Sequence, residues 1–216
     1  MSTPAGSPFS VPTPPRTLEC SIFTLSAGST IHRIHDKLFT AESFNPGKGN
    51  SRFAPFTVRG SLVPTSYAAT SLECAVFETI FHDIDPSAPF KSVRWTALEP
   101  LQYSVLEVTR DVQLAQLFTP DLMNWGLART QLIDTPRSEY AQTRQWSGAI
   151  HDATQQPEGM VWVSRAFDQE RAMLLFGTRV EPGALRPIST VNVTTDSHCL
   201  GVVHAQAVRA GILISR

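Results

Sequence analysis

The sequence predicts an α+β fold, one domain built on a central mixed or antiparallel sheet. Three observations carry this. Strand-like segments come in runs, long helices are few, and no strand–helix–strand array alternates along the chain. The 216 residues suit a single domain over 17–216 behind a Pro-rich leader over 1–16. Hydrophobic residues make up 42% and charged residues 17%, enough apolar surface to build a core and too little charge for a disordered chain.

The leader holds Pro4, Pro8, Pro12, Pro14 and Pro15 among Ser, Thr and Gly. That composition predicts a flexible or extended segment, and equally allows an arm wrapped on the domain. Thr30 to His35 alternates apolar and polar and reads as the first strand. Ile31, Arg33 and His35 then share one face, with His32 and Ile34 on the other. His32 and His35 point to opposite faces, which argues against a metal pair.

Phe44 to Phe56 (FNPGKGNSRFAPF) reads as a long loop. Gly47 and Gly49 permit close backbone approach to a ligand, and Lys48 and Arg52 supply cationic donors between aromatic residues. The loop is neither a Walker A loop nor a dinucleotide fingerprint, because the required glycine spacings are missing.

Leu62 to Ala69 reads as a short strand running into a helix from Ser71 to about Ile84, with Thr70 as N-cap and Glu73 completing a capping box. Leu72, Cys74, Ala75, Val76, Phe77, Ile80 and Phe81 leave almost no polar face, so this helix should be buried. Glu78 sits in its middle. A carboxylate there is costly unless paired, so Glu78 is either a member of a structural ion pair or the floor of a site.

Further strands are expected over Ser92–Leu98 and Leu101–Val108, separated at Pro100. Thr119-Pro120 and Thr135-Pro136 each read as an N-cap followed by proline at N1, starting helices. The second of these helices runs from about Pro136 to His151, with Tyr140, Trp146, Ala149 and Ile150 on its apolar side. Strands follow over Gly159–Ser164 and Ala172–Val180, then a helix over Ser197–Ala210 and a last strand over Ile212–Ile214.

The bulk numbers exclude several functions. With 18 basic and 19 acidic residues the formal net charge is -1, so nothing draws nucleic acid or anionic membrane by bulk charge. No apolar run approaches the roughly 18 residues a membrane span needs, and no signal-peptide pattern opens the chain. The three separated cysteines suit free thiols, which points to a reducing cytoplasm. No GxSxG elbow, CxxC or HExxH motif appears, so neither Ser hydrolysis nor a metal site is indicated.

What remains is a set of polar residues embedded in apolar segments: Arg33, Arg52, Tyr67, Glu78 and Ser164. Two cations, a phenol, a carboxylate and a hydroxyl suit a ligand with a pyrophosphate and a ribose. Arginine forks take phosphate oxygens, and a carboxylate can stabilise positive charge as a glycosidic bond opens. Lys48, His151 and Trp162 are expected to line such a pocket.

FNPGKGNSRFAPF, SYAATSLECAVFET and GMVWVSRAF, in that order, resemble the RES domain family over roughly Ile31 to Val180. Arg33, Arg52, Tyr67, Glu78 and Ser164 fall on that family's pattern. The resemblance implies a fold similar to ADP-ribosyltransferase toxins and cleavage of the nicotinamide–ribose bond of NAD, with phosphate as acceptor in several members. On that reading Arg52, Glu78 and Tyr67 are catalytic, and Arg33, Ser164, Lys48 and His151 bind NAD. NAD is then substrate and no cofactor is needed. The resemblance also implies a toxin held by a cognate Xre-type antitoxin protein; whether the chain forms a homo-oligomer stays open. Two other functions stay open as well: ADP-ribose transfer to a protein or small acceptor, and a non-catalytic module that holds a nucleotide or a partner. The leader and the residues after Val180 fall outside the matched pattern, and the loop between Arg52 and Tyr67 is longer than in compact members of the family.

Overall fold

The structure, a computed structural model, describes residues 10–216. In chain order the strands are β1 (Ile22–Leu25), β2 (Thr30–Asp36), β3 (Phe56–Val58), β4 (Ser61–Val63), β5 (Thr65–Ala69) and β6 (Lys91–Arg94). They continue as β7 (Leu101–Val108), β8 (Val112–Gln116), β9 (Gly159–Val163), β10 (Arg171–Phe176), β11 (Leu185–Asn192) and β12 (Ile212–Ser215). The helices are α1 (Leu72–Thr79), α2 (Trp95–Leu98), α3 (Thr119–Asn124), α4 (Tyr140–His151) and α5 (Ser197–Ala210).

Eight strands form one mixed sheet in the order β1-β8-β9-β10-β5-β2-β7-β11, antiparallel throughout except for the parallel β8–β9 pair. The expected α+β class with a central mixed sheet is what the chain adopts. Strand alternation splits the core between the two faces. Ile34, Trp162, Leu174 and Phe176 join α1 and α5 on one side, while Ile31, Val161, Met173 and Leu175 pack on the other.

One relationship in this sheet positions the site. β2 and β5 are neighbours but share a single register pair, His32 opposite Ala69. Beyond that pair β2 runs on through Arg33 to Asp36, β5 runs back through Tyr67 to Thr65, and a cleft opens between them.

Several local expectations are corrected. The strand expected over Leu62–Ala69 is two strands, because Pro64 lacks the amide a ladder needs; β4 pairs with β3, and β5 with β10. The β3–β4 hairpin accounts for the long segment between Arg52 and Tyr67. The N-cap of α1 is Ser71, whose side chain accepts from the Cys74 amide, while Thr70 Oγ1 donates to Glu170 Oε2 at 2.6 Å. The Thr70–Glu73 capping box therefore does not form, and α1 ends at Thr79 instead of Ile84. Strand β6 stops at Arg94, opposite Ser215 at the end of β12, its one partner among the described residues, and residues 95–98 turn helical. β1, β8 and β11 were not expected at all.

α4 begins at Tyr140, after a 3-10 turn over Arg137–Glu139. α5 matches its expected bounds, capped by the Asp196 side chain and stopped by Gly211 at φ 65°. Of the leader, residues 1–9 lie outside the described residues. The stretch from residue 10 lies on the domain: Val11 is buried, Pro12 O accepts from Trp146 Nε1 at 2.7 Å, and Ser10 O from Gln131 Nε2 at 3.0 Å. Among the described residues no helix is long and apolar enough to cross a membrane.

Candidate active site

The cleft between β2 and β5 has a volume of about 270 Å³. Its lining combines Arg33, His35, Arg52, Tyr67, Glu78, Tyr140 and Arg165 with the apolar Ile34, Phe39 and Phe77. Residues far apart in sequence therefore meet in one place.

Glu78 is half-buried on the inner side of α1, facing the cleft. Among the described residues it forms no ion pair, which removes the structural ion-pair explanation for a carboxylate in this helix. Its fixed partner is Ser164, just past the end of β9. Ser164 is fully buried and its Oγ donates to Glu78 Oε1 at 2.6 Å, while that same Oγ accepts from the Phe167 amide at 3.1 Å. A hydroxyl has one proton, and here it is committed to the carboxylate. One oxygen of Glu78 is thus held and the other left for the cleft.

Arg52 is buried to 8% exposure, with its guanidinium carbon 5.8 Å from the ring centroid of Tyr140 and 5.9 Å from that of Phe53. Its Nε is buried without a hydrogen-bond partner among the described residues. A buried, unsatisfied cationic donor is costly, and an anionic ligand would satisfy it. The loop that carries Arg52 is pinned from both sides. Thr143 Oγ1 of α4 donates to Arg52 O. The Tyr67 hydroxyl bonds Ser51 Oγ at 2.9 Å and accepts from the Phe53 amide at 3.3 Å. Ser51 Oγ donates to Ala54 O at 2.9 Å, so the Tyr67 proton points to Ser51. Burial pushes the Tyr67 phenol up to about 12, which keeps it protonated in this bracing role. Gly47 lies in the same loop at φ 101°, where a Cβ would meet Leu62 Cδ2 at 2.6 Å.

Arg33 is anchored at the floor of the split. Its Nη1 donates to Ala41 O and Ser43 O, each at 2.6 Å, and burial lowers its guanidinium to about 10, so it stays charged near neutrality. His35 accepts from or donates to Ser104 Oγ at 2.8 Å through Nε2, and meets Asp36 O at 3.0 Å through Nδ1. A carbonyl only accepts, so Nδ1 carries the proton and Nε2 accepts from Ser104. Both ring nitrogens are occupied, and burial, chiefly, lowers its pKa.

The geometry brings Arg33, Arg52, Tyr67 and Glu78 to one cleft, with Ser164 behind Glu78. It does not bring Lys48 or His151 there. Lys48 is exposed, its Nζ 5.4 Å from the ring centroid of Phe39 at the cleft edge. His151 is buried at the C-terminal end of α4 against Phe56 and Phe176, with Nε2 2.9 Å from Thr178 Oγ1. Trp162 packs behind Tyr67, ring centroids 6.3 Å apart, and does not reach the cleft. Sequence reasoning missed Tyr140 and Arg165 as cleft residues. Tyr140 was visible only as an apolar-face residue of α4, and Arg165 only as the neighbour of Ser164.

An eight-stranded mixed sheet, split between β2 and β5, brings arginines, a carboxylate and aromatic side chains to one cleft of an α+β domain. The model of the RES domain matches residues 30–196, and the chain belongs to that family. The match runs past Val180 and takes in β11, where the expected resemblance stopped. Among solved structures the fold is similar to that in the crystal structure of the M. tuberculosis MbcT-MbcA toxin-antitoxin complex. The TM-score is 0.55 at 17% identity, covering 78% of this chain and 86% of that one. No curated protein matches the sequence.

Proposed function

We propose that the chain cleaves the nicotinamide–ribose bond of NAD. The observation that carries this is a half-buried Glu78, held through one oxygen by Ser164, in one cleft with Arg33, Arg52 and Tyr67. In such a cleavage the C–N bond breaks with its electron pair going to the pyridinium nitrogen, which leaves as neutral nicotinamide. Positive charge develops on the ribose carbon and ring oxygen. A preorganised carboxylate in a site of restricted water stabilises that charge more in the transition state than in the ground state. Arg52, with an unsatisfied donor, and Arg33 suit the pyrophosphate. The ribosyl carbon then bonds either to an anionic oxygen of phosphate or to the oxygen of water, which gives up one proton to solvent.

Membership of the RES domain family and the likeness to a toxin solved with its antitoxin support a cellular role as the toxin of such a pair, held by an antitoxin protein. Purified protein should release nicotinamide from NAD, faster with phosphate if phosphate is the acceptor. Expression in cells should lower NAD and stop growth. An absence of nicotinamide release both with and without phosphate would refute the reading.

A further inference from the structure

Residues 129–134 form a closed turn between α3 and α4, and none of them lines the cleft. Arg129 O accepts from the amides of Leu132, Ile133 and Asp134 at 3.2, 2.8 and 3.0 Å, and Leu132 and Ile133 are fully buried. The turn is therefore fixed to the core, and it aims the Arg129 guanidinium at the end of β9. We infer that Arg129 is a positioning residue for nicotinamide release, setting the place from which Ser164 holds Glu78. The inference rests on the NAD reading and extends it to a residue outside the cleft.

The sheet stops supporting the chain just where the serine stands. The last β9–β10 pair is Val163 opposite Arg171, and Ser164 is the next residue. On its other side β9 loses its partner earlier, because pairing with β8 ends at Val161, whose carbonyl accepts from the Leu117 amide at 2.9 Å. Alternate carbonyls of a strand face the same side, so Val163 O points where β8 has run out. Arg129 Nη2 takes the place of the missing strand, donating to Val163 O at 2.8 Å and to Ser164 O at 3.3 Å. Its Nε donates to Asp134 Oδ2 at 3.1 Å within the same turn, which fixes the plane of the guanidinium.

Every polar group of Ser164 is engaged. The amide donates to Glu170 O at 2.9 Å and Oγ accepts from the Phe167 amide at 3.1 Å, both within the short connection from β9 to β10. The hydroxyl proton goes to Glu78. Among the described residues, Arg129 supplies the one backbone hydrogen bond to Ser164 from outside that connection. Without it the residue beyond the ladder is free to shift, and a short hydroxyl–carboxylate bond tolerates little shift.

The test is a double-mutant cycle on nicotinamide release from NAD, with kcat taken per folded molecule. Arg129→Met removes all three hydrogen bonds and should lower kcat about tenfold, with KM for NAD within about twofold of wild type. In a Ser164→Ala background the same change should cost less than about threefold, because the hydroxyl through which Arg129 acts is already gone. If Arg129→Met does not fold, Arg129→Lys, which keeps the charge and loses the fork, takes its place in the cycle with the same expected pattern. Wild-type kcat in the variant, a raised KM with kcat unchanged, or an equal loss with and without the Ser164 hydroxyl would overturn the assignment while leaving NAD cleavage intact. No release by the wild-type protein would overturn the NAD reading, and the assignment with it.

Discussion

Ser164 gives its one hydroxyl proton to Glu78 Oε1 at 2.6 Å, although 86 residues separate them. The acceptor side of the same hydroxyl is taken by the Phe167 amide, so the bond has a single sense. Ser164 is therefore a positioning residue, acting on a substrate through the carboxylate it holds. Ser164→Ala should lower kcat for nicotinamide release by about tenfold to a hundredfold with KM for NAD little changed. A raised KM with unchanged kcat would mean that Ser164 contacts the substrate directly.

Tyr67 holds the loop on both sides of Arg52 through one hydroxyl. Tyr67→Phe keeps the ring packed edge-on against Trp162 and removes only that brace. The loss of a hydrogen bond should cost about 1 kcal/mol of stability, while activity falls further because Arg52 loses its fixed position. Melting temperature and kcat/KM measured together separate the two. Loss of stability with activity fully retained would show that the brace has no bearing on the site.

Arg52→Lys keeps the charge and discards the planar fork. Nothing in the described fold accepts from Arg52 Nε, so the melting temperature should move by less than about 3 °C. NAD turnover should drop clearly. Wild-type turnover would make Arg52 a bystander.

His35 and His151 are buried, and burial, first among the causes, lowers the pKa of each. A lowered folded pKa means the unfolded chain binds protons first as pH falls below about 6.5. The stability these neutral imidazoles provide is present above that pH and lost as pH falls toward their folded values. The melting temperature should therefore decline from about pH 6.5 toward pH 5, and His151→Gln should flatten that decline. An unaltered acid limb in the variant would show that His151 does not contribute to it.

Much of this architecture was legible where local chemistry decided it. α5 follows from an Asp196 cap and a Gly211 stop, and α1 from its nearly continuous apolar surface. Arg33, Arg52 and Glu78 stood out as charges in apolar surroundings, and the fold brings them to one cleft. β11 was hidden because it is an exposed edge strand that carries Pro187 and a register shift after it. β1 and β8 are short, and each owes its definition partly to the other. Lys48 was expected at the site as a cationic donor of the glycine-bearing loop and His151 as pocket lining, but Lys48 is exposed at the cleft edge and His151 packs against Phe56 and Phe176. The split between β2 and β5, and Arg165 at its far end, depend on non-local register that no local pattern encodes.

Glu78→Gln separates a catalytic carboxylate from a structural one. The amide oxygen of Gln can still accept from Ser164, and no ion pair among the described residues is broken by the change, so the helix packing should survive. What disappears is the negative charge facing the cleft. If that charge stabilises the opening ribosyl cation, its loss should cost about 3 kcal/mol, or roughly a hundredfold or more in rate. The variant should therefore melt close to wild type and still bind NAD, yet release nicotinamide at least about a hundred times more slowly. Binding by calorimetry, melting temperature and nicotinamide release on one preparation decide the matter. A variant that melts far lower and turns over NAD normally per folded molecule would place Glu78 among the structural residues and leave the cleft without its charge-stabilising group.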